Sequence, residues 1–183
     1  MCIRDRYIYL SGITLALYSD EARERLFAFL AEYRSKGGQV SFDGNYRPKL
    51  WKSTEAAKEA YLKMYSLSDL VMPTDEDEAM LFGEEDGETL IARMVSYGVS
   101  EIVLKQGPSG CWVATKDSAE LVPSNKVQVV DSTAAGDSFN AGFLGAKLSG
   151  KTSIEAAKVA HNLASTVIQH RGAIIPTEAM PAL

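Results

Sequence analysis

The 183-residue sequence is poor in the residues that build disulfide frameworks and metal centres: it has two cysteines, Cys2 and Cys111, and two histidines, His161 and His170. The cysteines form no CxxC pair and no framework spacing, which excludes a disulfide scaffold. The histidines stand nine positions apart, a spacing foreign to the common transition-metal sites. Basic excess is also absent. Nineteen Lys and Arg face 24 Asp and Glu, a formal charge of −5, which argues against a dedicated nucleic-acid binder. An anionic ligand stays open, because backbone amides hold phosphate without any net positive charge. No apolar run approaches the roughly 20 residues that a membrane span requires, and no apolar signal core follows the polar start Met1–Arg6. A reduced, cytoplasmic chain without membrane or nucleic-acid partners is therefore expected.

What is present is an ordinary globular balance, 46% hydrophobic and 23% charged, in a length that suits one domain. Short apolar runs alternate with amphipathic stretches. Strands are expected at Tyr7–Leu10, Gln39–Phe42, Leu70–Met72 and Glu101–Lys105, then at Cys111–Thr115, Glu120–Val122 and Val127–Val130. A loop is expected after Ser11-Gly12. Helices are expected from Ser19 or Asp20 to Gly37-Gly38, from Ser53 or Thr54 to about Tyr65, and over Asp75–Phe82. Three more follow at about Glu88–Tyr97, Ala135–Leu148 and Ser153–His170. This alternation predicts a single α/β domain over residues 1–183 with a mostly parallel sheet. The opening strand has nothing before it to pair with, so the chain is read as starting partway through a fold, with Met1–Arg6 as a non-native start.

The most informative stretch runs from Val127 through Asp131-Ser-Thr-Ala134-Ala135-Gly136-Asp137 to Ala141-Gly142. A β-branched segment meets a small-residue turn where a helix begins. The amides of Ala134, Ala135, Gly136 and Asp137 are expected to point out of that helix together and form an anion hole, with the Asp137 carboxylate beside it. Taken alone, an acid in the first turn of a helix is favourable electrostatics and nothing more. A rival phosphate motif, Gly145-Ala-Lys-Leu-Ser-Gly150-Lys151-Thr152, matches the P-loop expression, but that loop needs a strand before it. Here a helix precedes it, and Gly150 reads as the glycine that ends that helix.

With its spacing complete, the Asp131–Gly142 run resembles the C-terminal signature of the ribokinase-like (PfkB) carbohydrate kinases. The resemblance implies a ribokinase-like α/β fold and ATP-dependent phosphorylation of a sugar. It makes Asp137 the base for the sugar hydroxyl and Ala134, Ala135 and Gly136 the donors to the transferring phosphate. Lys105-Gln-Gly107-Pro-Ser-Gly110 resembles the family's nucleotide-binding turn, and Ala160-His161-Asn162 its adenine-edge segment, which makes Lys105, Gly107, Gly110 and Asn162 nucleotide contacts. Arg171-Gly172-Ala173 stand where relatives often place carbonyls around a monovalent cation. Thr74-Asp75-Glu76-Asp77-Glu78 is similar to the family's N-x-x-E motif, with Asp75 in place of the usual Asn; Glu78 then serves Mg²⁺ at a distance.

Asp43-Gly-Asn45-Tyr-Arg47-Pro-Lys-Leu-Trp51 narrows the substrate. Following a strand, these polar groups would converge where α/β ligands sit, and an Arg there can grip a carboxylate with two hydrogen bonds. The run is similar to that of the 2-keto-3-deoxygluconate kinases, which implies a sugar-acid substrate bound by Arg47, Asp43 and Asp137, with Arg47 on its carboxylate or bridging it to the ATP phosphates and Asn45 on the nucleotide side. A neutral-sugar kinase (fructose or ribose) and a non-catalytic nucleotide-binding remnant are the alternatives. Relatives are longer at the N-terminus, where they carry a β lid that often forms a dimer interface. The resemblance therefore implies a homo-oligomeric parent and little activity in these 183 residues alone.

Overall fold

The computed structural model of the chain describes residues 7–83 and 86–181. The expected non-native start lies outside the described residues. Strands and helices alternate as β1 (Tyr7–Ser11), α1 (Gly12–Leu17), α2 (Asp20–Ser35), β2 (Gln39–Asp43), α3 (Thr54–Ser66), β3 (Leu70–Val71), α4 (Asp75–Phe82), α5 (Gly87–Ser96) and β4 (Glu101–Lys105). They continue as β5 (Cys111–Ala114), β6 (Ala119–Val122), α6 (Ala135–Leu148) and α7 (Ser153–Val167). Over residues 7–105 the sheet runs β1-β2-β3-β4. β1 pairs in parallel with β2 in the register Tyr7↔Gln39 to Ser11↔Asp43, β2 with β3 through Phe42↔Val71, and β3 with β4 through Val71↔Ile102. No described helix is long and apolar enough to cross a membrane.

The residues group into two compact units, one of residues 7–105 with 114–118, the other of residues 106–113 with 119–181. In the first, β2 and β4 are buried along nearly their whole length, as expected for parallel strands covered on both faces. Phe42, Tyr61, Met64, Tyr65, Val71 and Ile102 are fully buried, and each contributes about 1.5–3 kcal/mol by leaving water. Tyr61 is the centre of an aromatic cluster, edge-on to Phe42, Tyr46 and Trp51. Its hydroxyl donates to the Gly44 carbonyl at 2.6 Å, so α3 carries the loop that leaves β2. Gly12 is required here by space: a Cβ would lie 2.0 Å from both the Gly44 oxygen and the Tyr61 hydroxyl.

In the second unit α6 packs on α7 at Gly142, where an added Cβ would come within 2.9 Å of the Ala160 Cα. Phe139 meets the His161 ring edge-on at 5.0 Å, and His161 Nε2 bonds the Val122 carbonyl at the end of β6. α6 ends at Gly150 with φ +90°. There Gly150 N–H bonds the Lys147 carbonyl and Lys151 N–H the Ala146 carbonyl, the double bond of a glycine-terminated helix. Gly145 lies inside the helix and Gly150 ends it, which leaves no place for a P-loop.

Three sequence expectations are corrected. Ser11-Gly12 opens a helix rather than a loop, because the Ser11 hydroxyl accepts the Ile13 amide. Val127–Val130 is not a strand. Val129 and Val130 are 57% and 55% exposed, and the amides of Val130 and Asp131 both go to the Ile168 carbonyl at the end of α7. β-branching favours a strand only where a neighbour offers a ladder to pair with. At the other end of α7, residues 168–170 leave the helix three residues before the expected His170.

Candidate active site

α1 through α5 and α7 each open on a Ser, Thr or Asp whose side chain accepts a first-turn amide. α6 does not. It starts from Ala134, left-handed at φ 60°, with no side-chain cap, although an L-residue held left-handed costs roughly 1–2 kcal/mol. The Ala135 amide bonds the Ser132 carbonyl at 3.1 Å, so it closes the turn and is not the open donor expected of it. Gly136 and Asp137, the second and third helical residues, keep first-turn amides with no intrahelical acceptor. Asp137 is exposed, and its carboxylate makes no hydrogen bond or ion pair among the described residues. The turn is held from outside by Asp131. Its Oδ1 accepts the Thr133 amide and its Oδ2 the Gly172 amide, each at 2.9 Å; the Thr133 side chain first, and then these two amides, pull its carboxyl down to a pKa of about 2. Sequence reading gave Asp131 only a place in a motif; its link to Gly172, 41 residues on, has no local signal.

In the same unit Gly107–Ser109 form a single tight turn closed by the Gln106–Gly110 bond. Gly107 and Gly110 both have positive φ, and a Cβ on Gly110 would strike the Val122 carbonyl at 2.2 Å. Asn162 is exposed on α7.

In the first unit the expected residues stand at the ends of β2 and β4. Lys105 Nζ meets Asp43 Oδ1 at 3.1 Å, with the side chains 9% and 5% exposed. The Tyr9 hydroxyl donates to Asp43 Oδ2 at 3.3 Å. Asp43 was expected to face a substrate. Instead it is buried and spent on Lys105 and Tyr9, a partnership across 62 residues that spacing cannot reveal. Asn45 is left-handed at φ 40°, with its Oδ1 buried and without a hydrogen-bond partner among the described residues. Arg47 is half exposed and stands 3.6 Å from Asp77 Oδ1, and Asp77 Oδ2 accepts the Tyr46 amide. Burial pushes the Asp77 carboxyl up. Asp77 thus fixes the Asn45–Arg47 loop, a role the sequence reading missed.

Glu78 also departs from expectation. It is 1% exposed and accepts from the Tyr65 hydroxyl and from Arg93 Nη2, so both oxygens are engaged inside the protein and none is turned toward a metal. Burial raises its carboxyl despite those two donors. No cluster of three or more His, Cys, Asp or Glu able to hold a metal occurs among the described residues.

The model of the pfkB family carbohydrate kinases matches residues 4–180. The chain belongs to that family. Among curated pfkB relatives, the 2-dehydro-3-deoxygluconokinase of Escherichia coli K12 is 48% identical over 180 residues, 96% of this chain and 58% of the relative. That of Dickeya dadantii is 49% identical with the same coverage. The pfkB chain therefore spans about 58% of the length of the curated relatives it matches. Among solved structures, the fructokinase of Vibrio cholerae O395, in a form with fructose, ADP and calcium ion bound, superposes with a TM-score of 0.81. The identity is 26%, over 91% of this chain and 56% of that one. The aminoimidazole riboside kinase of Salmonella enterica, complexed with its riboside and an ATP analogue, gives a TM-score of 0.81 at 25% identity, over 96% and 59%. The ribokinase-like α/β fold follows.

Proposed function

We propose that these residues are the nucleotide-binding and catalytic part of an ATP-dependent kinase that phosphorylates the terminal hydroxyl of 2-keto-3-deoxygluconate. The observation that carries this reading is the start of α6, where unpaired amides and an exposed carboxylate share one uncapped helix end. Asp137 accepts the proton of the sugar hydroxyl as its oxygen bonds to the γ-phosphorus. The γ-phosphorus–oxygen bond to ADP breaks, and ADP leaves with that electron pair. The amides of Gly136 and Asp137 stabilise the negative charge on the transferring group, which in a loose transition state is the larger share of catalysis. Lys105, Gly107, Gly110 and Asn162 are assigned to ATP, and Arg47 to the carboxylate of the sugar acid. The described donors do not fit a protein-held Mg²⁺, so Mg²⁺ is assigned to the ATP phosphates and water. The 48–49% identity to 2-dehydro-3-deoxygluconokinases favours the sugar acid over a neutral sugar.

The test is a chimera in which the front part of the E. coli relative is followed by residues 7–183 of this chain. It is expected to phosphorylate 2-keto-3-deoxygluconate with ATP and to prefer it over fructose and ribose. Arg47→Ala should raise KM for the sugar acid about tenfold or more, the loss expected when one partner of a charged pair is removed. A preference for fructose or ribose that survives Arg47→Ala would transfer the assignment to a neutral-sugar kinase. A chimera that binds ATP without any transfer would make the module non-catalytic. The 183-residue chain alone is expected to turn over little or nothing.

A further inference from the structure

Asp43 closes β2 and Lys105 closes β4, two strands with only β3 between them. Neighbouring strands lie about 4.8 Å apart, so a bond between these side chains spans the place of a whole strand. β3 permits it by being two residues long. The chain beyond it is stitched to both sides, the Met72 amide to the Phe42 carbonyl and the Lys105 amide to the Pro73 carbonyl. With the Tyr9 hydroxyl on its second oxygen, Asp43 ties the middle of β1 to the ends of β2 and β4. A buried ammonium that loses its counter-charge leaves for solvent or gives up its proton. Asp43 is therefore a buried counter-charge that keeps the Lys105 ammonium at the end of β4.

We propose that Asp43 is a positioning residue that holds Lys105 at the end of β4 as a fixed positive charge for the outer phosphates of the nucleotide, and that it touches no sugar. This rests on the nucleotide reading above and goes beyond it by taking Asp43 out of the sugar-acid contacts and making it act through Lys105. Arg47, from the loop that follows, keeps the sugar-acid role.

Calorimetric titration of the 183-residue chain with ATP and with AMP tests it, since AMP lacks the outer phosphates and the ratio of the two affinities reports on them alone. Asp43→Asn and Lys105→Met are each expected to lower ATP affinity about tenfold or more and to leave AMP affinity unchanged. The double variant should match Lys105→Met, because Asp43 then has nothing to act through. If either single variant fails to fold, the double variant still decides. It leaves no buried charge unpaired, so it should unfold near the unmutated temperature yet show the lowered ATP-to-AMP ratio. An unchanged ratio in Asp43→Asn or in the double variant would overturn the proposal, as would a further loss when Asp43→Asn is added to Lys105→Met. An unmutated chain that binds neither nucleotide would overturn the nucleotide reading and this inference together, whereas normal ATP preference in Asp43→Asn removes the inference alone.

Discussion

α6 and α7 lie against each other and begin in opposite ways. α7 opens on Thr152, whose hydroxyl accepts the Glu155 amide while Glu155 Oε2 accepts the Thr152 amide and hydroxyl. The helix end is satisfied by its own side chains. α6 carries an acid at the same third position, Asp137, but no cap, and it enters through a strained left-handed alanine. One start is closed for stability. The other keeps its amides and carboxylate open at a cost, and an unrelieved local cost is what a functional site looks like.

The sharpest break in that comparison is at the two acids. In the chimera, Asp137→Asn should lower kcat by about 10²–10⁴-fold, the range for losing a general base. Glu155→Gln should leave kcat unchanged. Equal effects from the two, measured by initial rates at saturating ATP, would mean that Asp137 is only a first-turn acid. Next in size are two glycines of α6. Gly142→Ala forces a methyl against the Ala160 backbone and should destabilise by about 1–3 kcal/mol. Gly145→Ala meets nothing within 4 Å and should stabilise by about 1 kcal/mol through helix propensity. Urea denaturation separates the signs.

The two caps give a third contrast. Thr152→Ala should cost about 1 kcal/mol by removing an N-cap. Ala134→Gly should gain ~1 kcal/mol by relieving the left-handed alanine, shifting the urea midpoint the opposite way.

The same contrast marks how far the sequence could be read. Caps, glycine stops and the Asp131–Gly142 run are local, and so α6, with its bounds, and the N-caps of α2 and α3, each to within one residue, were legible from neighbouring residues. Partnerships across the fold were not. Asp43 looked like a ligand because it follows a strand, and nothing within 60 residues names Lys105 as its partner. Glu78 sits in an acidic run that looks solvated, yet Tyr65 and Arg93 enclose it. Val127–Val130 has strand composition without a strand to pair with. Spacing reveals what a segment can form, while the topology decides which groups are already spent.

The smallest effect lies where α7 supports α6. His161 bonds the Val122 carbonyl and faces Phe139, two residues past Asp137. Burial lowers its pKa below the ordinary histidine value, with the Val122 bond opposing. A histidine whose folded pKa is depressed contributes stability above its unfolded pKa of about 6.5, and loses it as pH falls through the folded value, because the unfolded chain takes up the proton first. Between pH 7.5 and 5 the unmutated chain should therefore lose more thermal stability than His161→Gln, which has no ring to protonate. If both proteins fall by the same number of degrees, His161 is not held neutral against Phe139 and the Val122 carbonyl.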